Sequence, residues 1–186
     1  MSLTTLLVPT YTQMLRTLSG LLDKARKQLP EAEALLAARL APDMYPLSTQ
    51  VRFACLQAQE ATFRLRGEPS PEALAQLAGE GRAAGERPGS IADAQARIAE
   101  TLALLGDLGP DALDAGAQRT VTIALPTGLT FDMTGEQYAR DWALPQFYFH
   151  LVTAYAVLRS RNIDIGKADY VPHMAAYLRP GTASAA

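Results

Sequence analysis

Gln146, His150 and Thr153 follow at steps of four and three inside residues 142–158 (WALPQFYFHLVTAYAVL), a run without Asp, Glu, Lys or Arg. Such steps place all three on one helix face. An imidazole beside an amide and a hydroxyl can exchange a proton, hold a polar ligand, or give one nitrogen to a transition metal. Buried without a partner, each group costs on the order of 1 to 3 kcal/mol, so a side chain, water or ligand has to meet it. The plainest reading is a core histidine bonded to a side chain or carbonyl. A small-molecule pocket comes next, and a metal ligand last.

Other residues offer less. Gln50 and Gln57 lie two turns apart beside a row of alanines. Gln57 reads as a rim residue in water, whereas for Gln50 a rim place and a site place are equally open. Tyr11, Asp43, Tyr45 and Arg52 would line a pocket at one end of a bundle if the loop at 43–46 lies near the helix ends; Asp43 serves more simply as a cap. Cys55 would need a stabilised thiolate to act as a nucleophile, and only Arg52 is near it in sequence, so a buried inert thiol is expected. No phosphate loop, nucleophile elbow or paired-carboxylate motif occurs. Gly79, Gly81 and Gly85 do not follow a strand and read as a flexible linker.

These residues must be carried by helices. The run 142–158 is apolar on every side and is expected to be buried on every side. Its 17 residues barely span a bilayer, and Pro145, Gln146 and His150 speak against that, so it reads as the inner helix of a bundle. Leu3, Leu7, Met14, Leu18, Leu21, Leu22 and Ala25 define a first helix over about 4–28, with Pro9 either kinking it or marking its first turn. A short helix is expected at 31–39. Asp43 and Pro46 signal the start of a second long helix, which Gly67 ends. Residues 67–90 read as an exposed connection holding one short helix, capped by Ser70 with Pro71 first. Ser90 caps a third helix, with Ile91, Ala94, Ile98, Leu102 and Leu105 on its buried face. Alternation at 120–125 and 129–133 around Pro126-Thr127-Gly128 gives an antiparallel hairpin. Thr134 and Gln137 match a capping box opening a fourth helix that runs to about Arg161, where Asn162 can take the left-handed cap. A last short helix, 168–178, would lay Tyr170, Met174 and Tyr177 on the bundle.

With 186 residues the chain fits one domain, 1–178, which can bury roughly 70% of its unfolded surface. Residues 179–186 are expected to be a disordered tail. Its 17 basic and 19 acidic residues nearly cancel, so neither nucleic acid nor a membrane is an expected partner. One cysteine excludes an internal disulfide and fits a reducing compartment. The first 20 residues lack a basic leader and a continuous apolar core, and a cytoplasmic location is expected.

Taken together, LAPDMYPLSTQV at 40–51, TGEQY at 134–138, LPQFYFHLVTAYAVLR at 144–159 and DIGKADY at 164–170 resemble an uncharacterised bacterial family of the DinB/YfiT-like superfamily. The resemblance spans roughly residues 3 to 171. It implies an all-α, up-down-down-up four-helix bundle with a small β-hairpin before the last long helix, and frequent homodimers. Members of the superfamily typically bind a divalent metal through one histidine on the second helix and two histidines one turn apart on the fourth, and several are thiol-dependent transferases or isomerases. Here the second helix has no histidine, with Gln50 in the ligand's place. One turn from His150 stand Gln146 and Ala154, and the only other histidine, His173, belongs to the tail. The resemblance therefore implies a dimeric protein with a degenerate, metal-free site and no cofactor, either a small-molecule binder or a structural and interaction module. The alternative is a thiol-dependent transferase or isomerase that uses His150 as a base or within an incomplete metal site.

Overall fold

Leucines at helical spacing build the first element, α1 (Leu3–Gln28), which buries Leu3, Leu7, Met14, Leu18, Leu21, Leu22 and Ala25 on its inner side. The computed structural model describes residues 2–181. Ser2 caps α1 by accepting from the Thr5 amide at 3.2 Å. The helix therefore begins ahead of Pro9 and runs through it. After α1 come a 3-10 turn (Ala32–Ala37), α2 (Leu47–Arg66), α3 (Glu72–Ala83), α4 (Ile91–Gly106) and the hairpin strands β1 (Thr120–Ala124) and β2 (Thr130–Thr134). A single helical turn, α5 (Gly135–Gln137), leads through a π-helical turn (Tyr138–Ala143) into α6 (Leu144–Ser160). Beyond it lie α7 (Lys167–Tyr170) and a 3-10 turn (Pro172–Tyr177). Among the described residues no helix is long and apolar enough to cross a membrane.

Side-chain pairs fix the direction of each long helix. Thr4 donates to Asp114 at 2.8 Å and Ser19 to Gln95 at 2.6 Å, so α4 runs against α1. Ser48 donates to the Pro88 carbonyl and Gln59 to Thr101, so α2 and α4 run the same way. Tyr11 meets the Phe147 ring at 4.8 Å and Gln28 donates to the Asp164 carbonyl at 3.0 Å, which makes α6 parallel to α1. The result is the up-down-down-up bundle expected from the resemblance. In the hairpin Val121 pairs with Met133 and Ile123 with Phe131, with Val121 and Ile123 buried.

Local signals behave as their chemistry requires. Ser90 and Asp93 form a capping box on α4. The Gln137 amide donates to Thr134 Oγ1 at 3.2 Å and the Thr134 amide to Gln137 Oε1 at 2.9 Å. Asn162 takes φ 62° beyond α6, and Gly67 φ 69° beyond α2.

Several expectations need correction. Within residues 31–39 the chain forms a 3-10 turn (Ala32–Ala37), not an α-helix. Asp43 is exposed and caps nothing; Pro46 holds the cap position of α2 without a side-chain bond. Pro71, not Ser70, takes the cap position of α3, again with no side-chain bond. The connection at 67–90 is no loose linker, because α3 packs closely on α2. A Cβ at Gly81 would lie 2.3 Å from the Phe53 ring, and the Gly81 carbonyl accepts from Thr49 Oγ1 at 2.8 Å. The fourth helix is not continuous α-helix. Pro145 has no N–H to offer the carbonyl four residues back, and the backbone ladder widens into the π turn just ahead of it. Nor is the run 142–158 buried on every side, for Phe149 is 58% and Val152 48% exposed. At the C-terminal end Tyr170 packs on Tyr155, but Met174 and Tyr177 stand in solvent. Of the tail expected at 179–186, residues 182–186 lie outside the described residues.

Candidate functional site

His150 faces α2 from the middle of α6 and is 8% exposed. Its Nδ1 stands 2.8 Å from Gln50 Oε1, and Gln50 Nε2 donates to the Tyr45 carbonyl at 3.2 Å. Because an amide oxygen only accepts, Nδ1 carries the ring proton and the lone pair lies on Nε2. No hydrogen bond among the described residues reaches Nε2. Phe53 and Phe149 present themselves edge-on to the imidazole, with centroids at 5.2 and 5.3 Å, and Tyr45 adjoins Phe53 at 5.6 Å. Burial lowers the histidine pKa from 6.5 to about 4, so the ring is neutral at pH 7. The arrangement is a hydrogen-bond acceptor among aromatic rings, anchored from behind by an amide.

The remaining sequence candidates do not join it. Thr153 returns its hydroxyl to the Phe149 carbonyl of its own helix at 2.6 Å, and Gln146 is only half-buried, so the three-residue stripe does not act as one group. Arg52 is buried on another side of α2, where it donates to Ser48 and to the Pro88 carbonyl at 3.3 Å and approaches Glu80 at 3.7 Å. Its work is to tie α2 to α3 and to the start of α4. Tyr11 is wholly buried against Phe147, its hydroxyl has no partner among the described residues, and burial raises the phenol well above its ordinary value. Asp43 stays in solvent. Gln57, read as a rim residue, instead has a buried, unbonded Oε1. Cys55 is buried as expected, and burial pushes its thiol up to about 12.

Metal donors are too few for the ion that the resemblance implies. Gln50 spends its oxygen on His150, Ala154 is buried one turn later, and no group of three His, Cys, Asp or Glu is placed to hold an ion among the described residues. A lone imidazole and an amide do not make a transition-metal site.

Sequence reasoning missed a second place. A cavity of about 670 Å³ opens where the end of α1 and the 3-10 turn meet the end of α6, lined by Leu29, Pro30, Ala34, Leu35 and Ala38 with Glu31 and Arg161 at its edge. Reading 31–39 as an α-helix hid it, since only a 3-10 turn brings residues three apart into line.

Over residues 3–171 the chain matches the family model described as a domain of unknown function, DUF1993. A crystal structure of a DinB family member protein from Shewanella denitrificans is similar to it, with 30% identity and a TM-score of 0.71 over 91% of this chain and 91% of that one. No curated protein sequence matches.

Proposed function

Because the chain belongs to the DinB-like family of unknown function DUF1993, and because its best-placed histidine is tied to a glutamine, we propose that it is a metal-free binding and interaction module that works as a homodimer. The Gln50–His150 bond at 2.8 Å carries this reading. It consumes the donors from both helices at the place where an ion would be held, and it fixes the imidazole in the tautomer that offers Nε2 to a hydrogen-bond donor. The surrounding rings of Tyr45, Phe53 and Phe149 favour an aromatic or apolar molecule bearing such a donor.

The second copy is favoured by the outer side of α6. Phe149 and Val152 stand exposed there, and no Asp, Glu, Lys or Arg lies within residues 142–158. An uncharged apolar patch of this kind suits an isologous contact, in which the same surface meets itself. A lone buried cysteine suits the reducing cytoplasm. For the transferase or isomerase alternative no observation speaks. A base with pKa about 4 is weak at neutral pH, and one imidazole with an amide does not complete a metal site. Elemental analysis of protein purified without chelator tests the reading. It should find zinc, nickel and iron far below one per chain, and near-stoichiometric metal would return the enzyme to first place.

A further inference from the structure

We propose that the cavity at the end of α1 binds a monocarboxylic acid with an apolar body, its carboxylate held by Arg161. This site is separate from His150 and does not rest on the reading given above. Arg161 borders two adjoining concavities, the one of about 670 Å³ and a second of about 280 Å³ to which Arg39 and Leu40 also contribute. The larger falls in the size range of small-molecule sites. Its wall follows from local geometry. In a 3-10 helix residues three apart eclipse, so Ala34 lines up with Ala37 and Leu35 with Ala38, and all four face the cavity. Three alanines beside Leu35 in these rows leave room for a trough. Leu29 and Pro30 close its end.

Charge decides what the trough takes. The Arg161 side chain is exposed and has no ion pair or hydrogen bond among the described residues, whereas neighbouring Arg159 is bonded to the Ile163 carbonyl. Arg39 uses one nitrogen on the Met44 carbonyl at 3.1 Å and keeps its other donors. A guanidinium without a partner at the rim of an apolar trough fits a carboxylate, which it can engage through two parallel bonds. Glu31 is the acid in the lining, and it disfavours a ligand whose charge lies at its own edge.

Titration of the full chain with decanoate, decanol and decylamine, each below its micellar concentration and followed by calorimetry and amide chemical shifts, tests the proposal. Decanoate should bind saturably, about tenfold or more tighter than decanol, with shifts at 29–38 and 161. Arg161→Gln should abolish the preference for the acid while leaving thermal unfolding unchanged, because the side chain is exposed. Glu31→Gln should strengthen decanoate binding, and Ala34→Trp should block all three probes. Equal affinity for decanoate and decanol, tighter binding of decylamine, shifts confined to Phe149 and Val152, or no saturable binding would each overturn it.

Discussion

Acid should destabilise this protein through one histidine, in a window that the burial of that histidine defines. The His150 pKa is lowered from 6.5 to about 4, by burial alone. Well above pH 6.5 the ring is neutral in folded and unfolded chains alike, and its neutral bond to Gln50 is present in full. Between pH 6.5 and about 4 only the unfolded chain takes up the proton, so stability falls as pH falls through this interval and levels off below it. Each pH unit is worth about 1.4 kcal/mol, which makes the full loss about 3 kcal/mol and the loss between about pH 7 and 4.5 some 2 to 3 kcal/mol. Carboxylates act elsewhere. Hydrogen bonds hold Asp93, Asp114, Asp141 and Asp169 below the ordinary 3.8, and their contributions are lost only beneath that value. Urea unfolding of the wild type and of His150→Gln at a series of pH values isolates the histidine, since glutamine can still bond to Gln50 but does not titrate. The wild type should lose about 2 to 3 kcal/mol more than the variant over the window. Parallel profiles, agreeing within about 0.5 kcal/mol, would mean that His150 is solvated and not held by Gln50.

Light scattering should give twice the 20.0 kDa chain mass for the wild type, and Phe149→Glu with Val152→Glu should halve it; a wild-type monomer at high micromolar concentration would remove the second copy from the proposal. Cys55 should stay silent toward a thiol reagent until urea unfolds the chain, because a thiol with pKa about 12 provides almost no thiolate at neutral pH; rapid reaction of the native protein would contradict its burial. Gly81→Ala places a methyl against the Phe53 ring and should cost about 1 to 3 kcal/mol in a denaturant melt while altering the His150 titration, as Phe53 forms one wall of that site. An unaltered titration would show that the ring swings away without consequence.

Features whose cause lies within a few residues were legible in the sequence. The Ser90 cap, the Thr134 capping box and the left-handed Asn162 need only local chemistry, and each forms as read, with Asp93 completing a box at Ser90 that was not read. Long helices with a clear apolar stripe were legible too. What failed depended on neighbours far along the chain. Apolar residues around all of α6 could not say which of them a second helix would cover, and Phe149 and Val152 were left outside. Gly81 looked like a flexible joint because Phe53, the ring it makes room for, lies on another helix. Within the site, Gln50 and His150 were both named, but their bond crosses 100 positions of sequence. Arg52 was placed with Tyr11, Asp43 and Tyr45 at one end of the bundle, because the groups that hold it, the Pro88 carbonyl and Glu80, lie on other elements. Eclipsed rows at 34–38 became visible only with the 3-10 winding.

The π-helical turn at Tyr138–Ala143 sets the phase of α6. Such a turn carries about one residue more than the α-helical ladder around it, and one residue corresponds to about 100° of rotation about the helix axis. Upstream, Thr134 and Gln137 fix the chain to the hairpin; downstream, Pro145 and the packing against α2 fix it again. Excising a residue between these two anchors would satisfy the ladder but leave them out of step. Either the capping box would break, or α6 would turn so that His150 left Gln50. The length of this segment thus decides which side of α6 looks inward.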